Sequence, residues 1–146
     1  MTDWFRFAAG IPDAKVRGPG VEPRRVAAAE KELDIKFPRA LKEILETCDG
    51  LCGKFDLGVV WSLERIIEEN ITFRNNPDFR DLYMTFESAL FFGDAGNGDQ
   101  FFFPVLPSGQ AKDDVFVWNH ETDERLWVAA ELESYASGWL SGTITV

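Results

Sequence analysis

Four short runs of aromatic and β-branched residues in the second half of the chain constrain the fold most strongly. The runs are 89–92, 100–103, 115–118 and 125–128, and glycine-rich or polar turns separate them. Each run is short for a helix and has the composition of a strand. Because a parallel neighbour needs a crossover of a dozen or more residues, the close spacing of these strands favours antiparallel pairing. The sequence therefore predicts an antiparallel meander from residue 87 onward.

Helical periodicity precedes and follows this meander. Pro23 and Pro38 suit the first turns of two helices, and Asp49-Gly50 is typical of a helix end. Apolar residues then recur at spacings of three and four, which places them on one helical face. The predicted elements are helices over about 22–34, 38–49 and 62–75, a strand over 57–61, a polar connection through Pro77, and a closing helix over about 130–141.

The length and composition fit one folded domain. The chain has 146 residues, of which 45% are hydrophobic, with 13 Phe and 5 Trp. That is enough to form a core without disulfide or metal. We predict a single α+β domain over 21–146, with N-terminal helices, a mainly antiparallel sheet and a C-terminal helix. Residues 1–20 are rich in glycine and proline and are predicted to form an irregular arm whose Trp4, Phe5 and Phe7 contact the core.

Acidic residues are concentrated toward the C-terminus. The net charge is −10, and residues 87–146 hold ten acidic and two basic side chains. This charge disfavours binding to nucleic acid or anionic membranes and favours a basic or neutral partner. The same carboxylates would also serve to solvate loops, and the composition alone leaves both interpretations open. We expect a cytoplasmic protein, because the N-terminus carries charges where a signal peptide needs an apolar run and no stretch predicts a membrane span.

The turn between the first two strands of the meander is the most distinctive segment. It consists of Gly93, Asp94, Ala95, Gly96, Asn97, Gly98 and Asp99. Its glycines lead into a strand rather than a helix, unlike a dinucleotide fingerprint, and its oxygens lack the spacing of a calcium loop. We predict a structural turn in which Gly96 and Gly98 adopt positive φ while Asp94 and Asn97 accept backbone N–H bonds. A rigid turn bearing carboxylates also suits protein recognition.

No catalytic or metal-binding pattern is evident in the sequence. His120 is the only histidine, and we interpret it as a hydrogen-bonding residue at a strand end. Cys48 and Cys52 would need carboxylates to complete a zinc site, so we predict reduced, partly buried thiols. We predict no catalytic residue, metal or cofactor. An enzyme that uses carboxylates and a bound metal is a third functional hypothesis.

Three landmarks resemble those of the SUKH superfamily, which includes fungal regulators of cell-wall synthesis and bacterial immunity proteins. They are the Phe37-Pro38 step between the first two predicted helices, the Gly93–Asp99 turn and the strand end Val117-Trp118-Asn119-His120-Glu121. The resemblance covers about residues 22–140. It implies an α+β domain that acts by binding. Bacterial members commonly neutralise a toxin, often a nuclease, that is encoded beside them.

This resemblance and the acidic C-terminal part lead to two functional hypotheses. The first is an immunity protein that binds a cognate toxin, expected to be basic, and covers its active site. The alternative is a regulatory adaptor in a signalling or cell-wall pathway. We expect the 93–99 turn and the 113–124 strand end to form one acidic face, with Trp118 or Trp127 as an exposed anchor. The predicted partner-binding residues are Asp94, Asn97, Asp99, Asp113, Asp114, Trp118, Glu121, Asp123 and Glu124. The oligomeric state stays open.

Overall fold

The computed structural model describes residues 2–146, which fold into helices and two antiparallel sheets. The α-helices are α1 (Trp4–Ala9), α2 (Pro23–Leu33), α3 (Arg39–Cys48), α4 (Leu63–Asn75), α5 (Pro77–Leu82) and α6 (Leu132–Ser141). The strands are β1 (Lys15–Val16), β2 (Leu51–Cys52), β3 (Gly58–Val60), β4 (Ala89–Asp94), β5 (Gln100–Pro104), β6 (Val115–Trp118) and β7 (Arg125–Ala129). The predicted α+β class is confirmed, including the antiparallel meander and the C-terminal helix.

The N-terminal residues are more regular than the sequence predicted. The prediction of an irregular arm over 1–20 is wrong for α1 and for β1, which pairs with β2. The side chain of Asp3 caps α1 by accepting the Arg6 N–H at 3.1 Å, and Trp4 is buried against the core. This local capping and burial stabilise a short helix beside the glycines and prolines. Phe5, in contrast with the prediction, is exposed.

Recognisable residues mark one boundary of each predicted helix before the meander. Asp34 and Asp49 end α2 and α3 in the left-handed conformation, at φ of 54° and 51°. Ser62 caps α4 by accepting the Arg65 N–H at 3.3 Å. The Pro77 connection is partly helical rather than irregular, because Asn76 caps the short helix α5.

The four-stranded sheet has the order β4-β5-β6-β7, and side chains from α4 cover its β4 edge. Asn70 is buried in α4, donates to the Phe91 carbonyl at 2.9 Å and accepts the Phe91 N–H at 2.8 Å. The backbone N–H of Trp61 donates to the Phe92 carbonyl at 2.7 Å, and the Arg74 side chain donates to the Ala89 carbonyl at 3.4 Å. These contacts replace a neighbouring strand, so β4 is not an open edge.

Each face of this sheet packs on aromatic residues. On one face Phe91 and Trp118 join a cluster with Phe73 and Phe86, with ring centroids 4.7–5.9 Å apart. The opposite face packs on α6, where the buried Tyr135 donates to the Val59 carbonyl at 2.8 Å. The core therefore extends through both faces of the sheet and holds its turns in place.

Candidate functional site

Two turns meet at one end of the four-stranded sheet, and we call residues 94–99 and 119–124 the paired turns. Asp99 is buried and accepts the His120 backbone N–H at 3.0 Å. Its Oδ1 also lies 2.6 Å from Nδ1 of the His120 ring. Each strand from β4 to β7 pairs antiparallel with the next, so the β4–β5 and β6–β7 turns lie at the same end of the sheet, where Asp99 joins them.

The glycine-rich turn has the predicted backbone at its two central glycines. Gly96 and Gly98 adopt φ of +92° and +98°, which confirms that prediction. Asn97 accepts the Asp99 N–H at 3.0 Å, as predicted for a residue that closes the turn. Gly93 has a different function from the other glycines, because a Cβ atom there would lie 2.5 Å from the Val59 carbonyl oxygen. It permits close packing of β4 against β3.

Asp94 does not close the turn, so this part of the prediction is wrong. Its carboxylate accepts the Trp61 indole N–H at 3.0 Å and pairs with Arg65 at 2.8 Å. The Arg65 guanidinium also lies 4.4 Å from the centre of the Trp61 ring. The charge of Asp94 is therefore largely compensated within the chain, which makes it a weak source of attraction for a partner.

Asp123 and Trp118 form a network within the second of the paired turns. Trp118 is buried and donates its indole N–H to Asp123 at 2.8 Å. Asp123 also accepts the Met84 N–H at 2.9 Å and an Arg125 N–H at 3.2 Å. Burial opposes ionisation of Asp123, but these hydrogen bonds and the charge of Arg125 outweigh it and lower the pKa of Asp123. The expectation that Trp118 is an exposed anchor is wrong, because its ring fills the aromatic cluster.

Asp113 and Asp114 lie at the opposite end of the sheet from the paired turns. They directly precede β6, whereas residues 119–124 directly follow it. The expectation of one acidic face over 93–99 and 113–124 is therefore wrong for these two residues. Asp114 accepts the Trp127 indole N–H at 3.0 Å and lies 3.9 Å from the Lys112 ammonium.

Asp113 is exposed and lines a cleft of about 830 Å³. The cleft lies between α1 and the N-terminal ends of α3 and α6. Its charged lining residues are Asp3, Arg6, Arg39, Glu43, Asp113, Glu131 and Glu133. Carboxylates outnumber arginines there, so this cleft also has an acidic character.

Three predicted binding residues in the paired turns have exposed side chains. They are Asn97, Glu121 and Glu124. Among residues 2–146, no side chain forms an ion pair with the carboxylates of Glu121 and Glu124. These two carboxylates, unlike those of Asp94, Asp99 and Asp123, are available to a cationic partner.

The adjacent strand β7 exposes two large apolar residues. Leu126 and Trp127 have 55% and 57% of their surface exposed. The expected exposure of Trp127 is confirmed, and its role as an anchor stays a prediction. The exposure of Leu126 was not predicted. The sequence shows only a strand-like run at 125–128. It could not predict that this strand lies at the edge, because that depends on the order of the strands in the sheet.

The histidine and the two cysteines, which were considered for catalysis or metal binding, have structural contacts in this fold. His120 lies against Asp99, and Cys48 and Cys52 are buried free thiols, as predicted. Burial raises the pKa of the Cys48 thiol, which opposes formation of a reactive thiolate. Within residues 2–146 no group of three or more His, Cys, Asp or Glu side chains is placed to hold a metal ion.

The family of the chain follows from its match over most of its length. The family model for the SMI1 / KNR4 family (SUKH-1) matches residues 20–138. The chain belongs to this family. The predicted SUKH resemblance is confirmed, and the matched SUKH-1 region includes the paired turns and all of β7. No curated protein matches the chain. In the described part of the chain, no helix of this SUKH-1 protein has the length and apolar character needed to cross a membrane.

Proposed function

We propose that this SUKH-1 protein is an immunity protein that binds and neutralises a basic toxin. The observation that carries the proposal is the edge of the sheet at β7, where Leu126 and Trp127 are exposed on its two faces. Exposed Glu121 and Glu124, which have no ion pair within residues 2–146, lie just before this strand. An apolar centre with a charged rim is typical of a protein-binding surface. Family membership supports a binding role, since the SUKH resemblance implies proteins that act by binding.

The acidic rim would act mainly on the rate of association. The chain has a net charge of −10, and exposed carboxylates attract a basic protein over about one Debye length, roughly 8 Å at physiological salt. Trp127 would then provide apolar contact area once the two proteins meet. A basic nuclease fits this surface, because its own site must attract phosphates.

The test is co-expression with the toxin-like protein encoded by the neighbouring gene. We expect the two proteins to co-purify and the SUKH-1 protein to restore growth. Glu121→Gln with Glu124→Gln should slow association about tenfold at low salt, with little effect on dissociation. The matched control is Glu64→Gln with Glu68→Gln, which removes the same charge from exposed positions on α4, at the covered edge of the sheet.

Two results would contradict this proposal. The first is a neighbouring toxin that neither co-purifies nor loses toxicity. The second is an equal reduction of the association rate by both double variants, which would indicate attraction by net charge alone. Co-purification of a signalling or cell-wall protein instead would favour the regulatory adaptor.

A further inference from the structure

β7 is the unpaired edge strand of the four-stranded sheet. β6 pairs with one side of it, and no group within residues 2–146 hydrogen-bonds to the backbone on the other side. The opposite edge differs, because Asn70 and Trp61 bond to β4. An open edge presents N–H and C=O groups that can pair with another strand.

The register identifies which backbone groups face outward. Asn119 donates its N–H to the Glu124 carbonyl at 2.9 Å, so Glu124 faces β6. Val117, two residues before Asn119, is the partner of Leu126, two residues after Glu124, so the backbone groups of Leu126 also face β6. Because backbone groups alternate sides along an antiparallel strand, those of Arg125 and Trp127 point away from β6.

The side chains beside this open edge are suited to a strand partner. Leu126 and Trp127 are neighbours, so they lie on opposite faces of the sheet. A groove of about 350 Å³ lies beside this edge; Leu126, Val117, Val128 and Ile144 line it, and Trp127 also borders it. An added strand directs alternate side chains to each face, so one set would enter the groove and the other would contact Trp127.

Carboxylates lie at both ends of β7. Glu121 and Glu124 are exposed before the strand. Asp113 and Glu131 are exposed at its other end, where Asp114 also lies. Arg125 lies within the strand, but it already bonds to Asp123 and to the carbonyls of Met84 and Thr85. A strand with positive charges complements this surface, whereas a second copy of the chain, with its net charge of −10, does not.

We propose that β7 binds its partner by adding a strand from a basic protein to its outer edge. The identity of that partner as a toxin rests on the proposed function above. The paired contacts are then main-chain hydrogen bonds at Arg125 and Trp127, with specificity from the groove and from Trp127. The partner's lysines or arginines lie near the carboxylates at the two ends of β7.

The decisive comparison is Trp127→Pro with Trp127→Ala in binding to the neighbouring toxin. Alanine removes the indole and retains the outward N–H, whereas proline also removes that N–H and leaves the bonds to β6 intact. We expect Trp127→Ala to weaken binding about tenfold and Trp127→Pro about tenfold further. Ile71→Ala, a truncation of an exposed residue on α4, should leave binding unchanged. Equal affinities of the Trp127→Pro and Trp127→Ala proteins would overturn strand addition.

A second measurement uses the unmodified protein and a synthetic peptide of alternating lysine and valine. Amide hydrogen exchange followed by NMR should slow at Arg125 and Trp127 when the peptide is present, and a glutamate–valine peptide should have no such effect. Unchanged exchange with the lysine peptide would contradict the assignment. The assignment would also be contradicted if these amides were protected in the protein alone and sedimentation gave a dimeric mass. The edge would then bind a second copy of the chain.

These results separate the two proposals. If the neighbouring toxin does not bind but the lysine–valine peptide protects Arg125 and Trp127, the immunity function fails and strand addition stands. If the toxin binds and is neutralised while these two amides exchange at their free rate in the complex, the function stands and strand addition fails.

Discussion

Asp99 and His120 join the two turns at one end of the sheet: one carboxylate oxygen contacts both the backbone N–H and the ring Nδ1 of His120, at 3.0 and 2.6 Å. The turns belong to different hairpins, so this contact fixes their relative position. It also brings Gly98 against the His120 ring. The exposed carboxylates of the second turn are thereby held beside β7 in a defined arrangement.

Substitution of Gly98 should show how closely the turns fit. A Cβ at Gly98 would lie 2.9 Å from the His120 ring, whereas one at Gly142 would meet nothing within 4 Å. Both glycines have positive φ, so Gly142→Ala is a control for backbone strain alone. We expect Gly142→Ala to lower the free energy of unfolding by about 1 kcal/mol and Gly98→Ala by about 2–3 kcal/mol in urea titrations. Equal losses of unfolding free energy in the two variants would indicate that the His120 ring moves away from the new Cβ without cost.

Asn70 should be essential for the covered edge of the sheet. It is 1% exposed, and its amide bonds to both backbone groups of Phe91. Asn70→Ala leaves those groups unpaired and should reduce the free energy of unfolding by about 3 kcal/mol, measured by urea denaturation. Asn75→Ala, an exposed truncation on the same helix, should change it by less than about 0.5 kcal/mol. A similarly small effect at Asn70 would show that water or a backbone shift replaces its hydrogen bonds.

Asp123 should make the protein less stable at low pH. Its pKa is lower in the folded protein than in the unfolded chain, so its contribution is present above about pH 4 and is lost as pH falls through the folded-state pKa. Asp123→Asn removes the charge and keeps a residue that tolerates the observed φ of 63°. At pH 7 we expect a loss of about 2 kcal/mol, measured by denaturant unfolding. The difference between the wild type and Asp123→Asn should narrow below about pH 4; a constant difference would contradict this explanation.

Tyr135 should affect stability at high pH. Burial, followed by the charge of Asp94, raises the pKa of Tyr135 well above its ordinary value, so the folded state disfavours the phenolate. Its stabilising effect is therefore present below about pH 10 and is lost as pH rises from there. Tyr135→Phe also removes the bond to Val59 and should cost about 1–2 kcal/mol at pH 7 in denaturant titrations. Stability of Tyr135→Phe should fall less steeply above about pH 10 than that of the wild type, and parallel curves would exclude this role.

Local patterns predicted most of the regular structure. The helices at 23–33, 39–48 and 63–75 and the four strands from residue 89 onward have strong apolar periodicity and residues suited to their ends. β1 and β2 contain only two residues each, so they have too little periodicity to be recognised and depend on pairing with each other and with β3. α1 was missed because adjacent glycines and prolines obscured a helix that Asp3 caps.

The candidate site was predicted by residue type and only partly by location. The sequence by itself determined that residues 87–146 are acidic and that a glycine-rich turn joins two aromatic strands, because composition and short-range spacing are local properties. Only the tertiary structure decided that Asp94 and Asp123 are paired with arginines, that Trp118 is buried and that β7 is an open edge. Charge compensation and exposure depend on residues distant in the chain, and only strand order and packing bring those residues together.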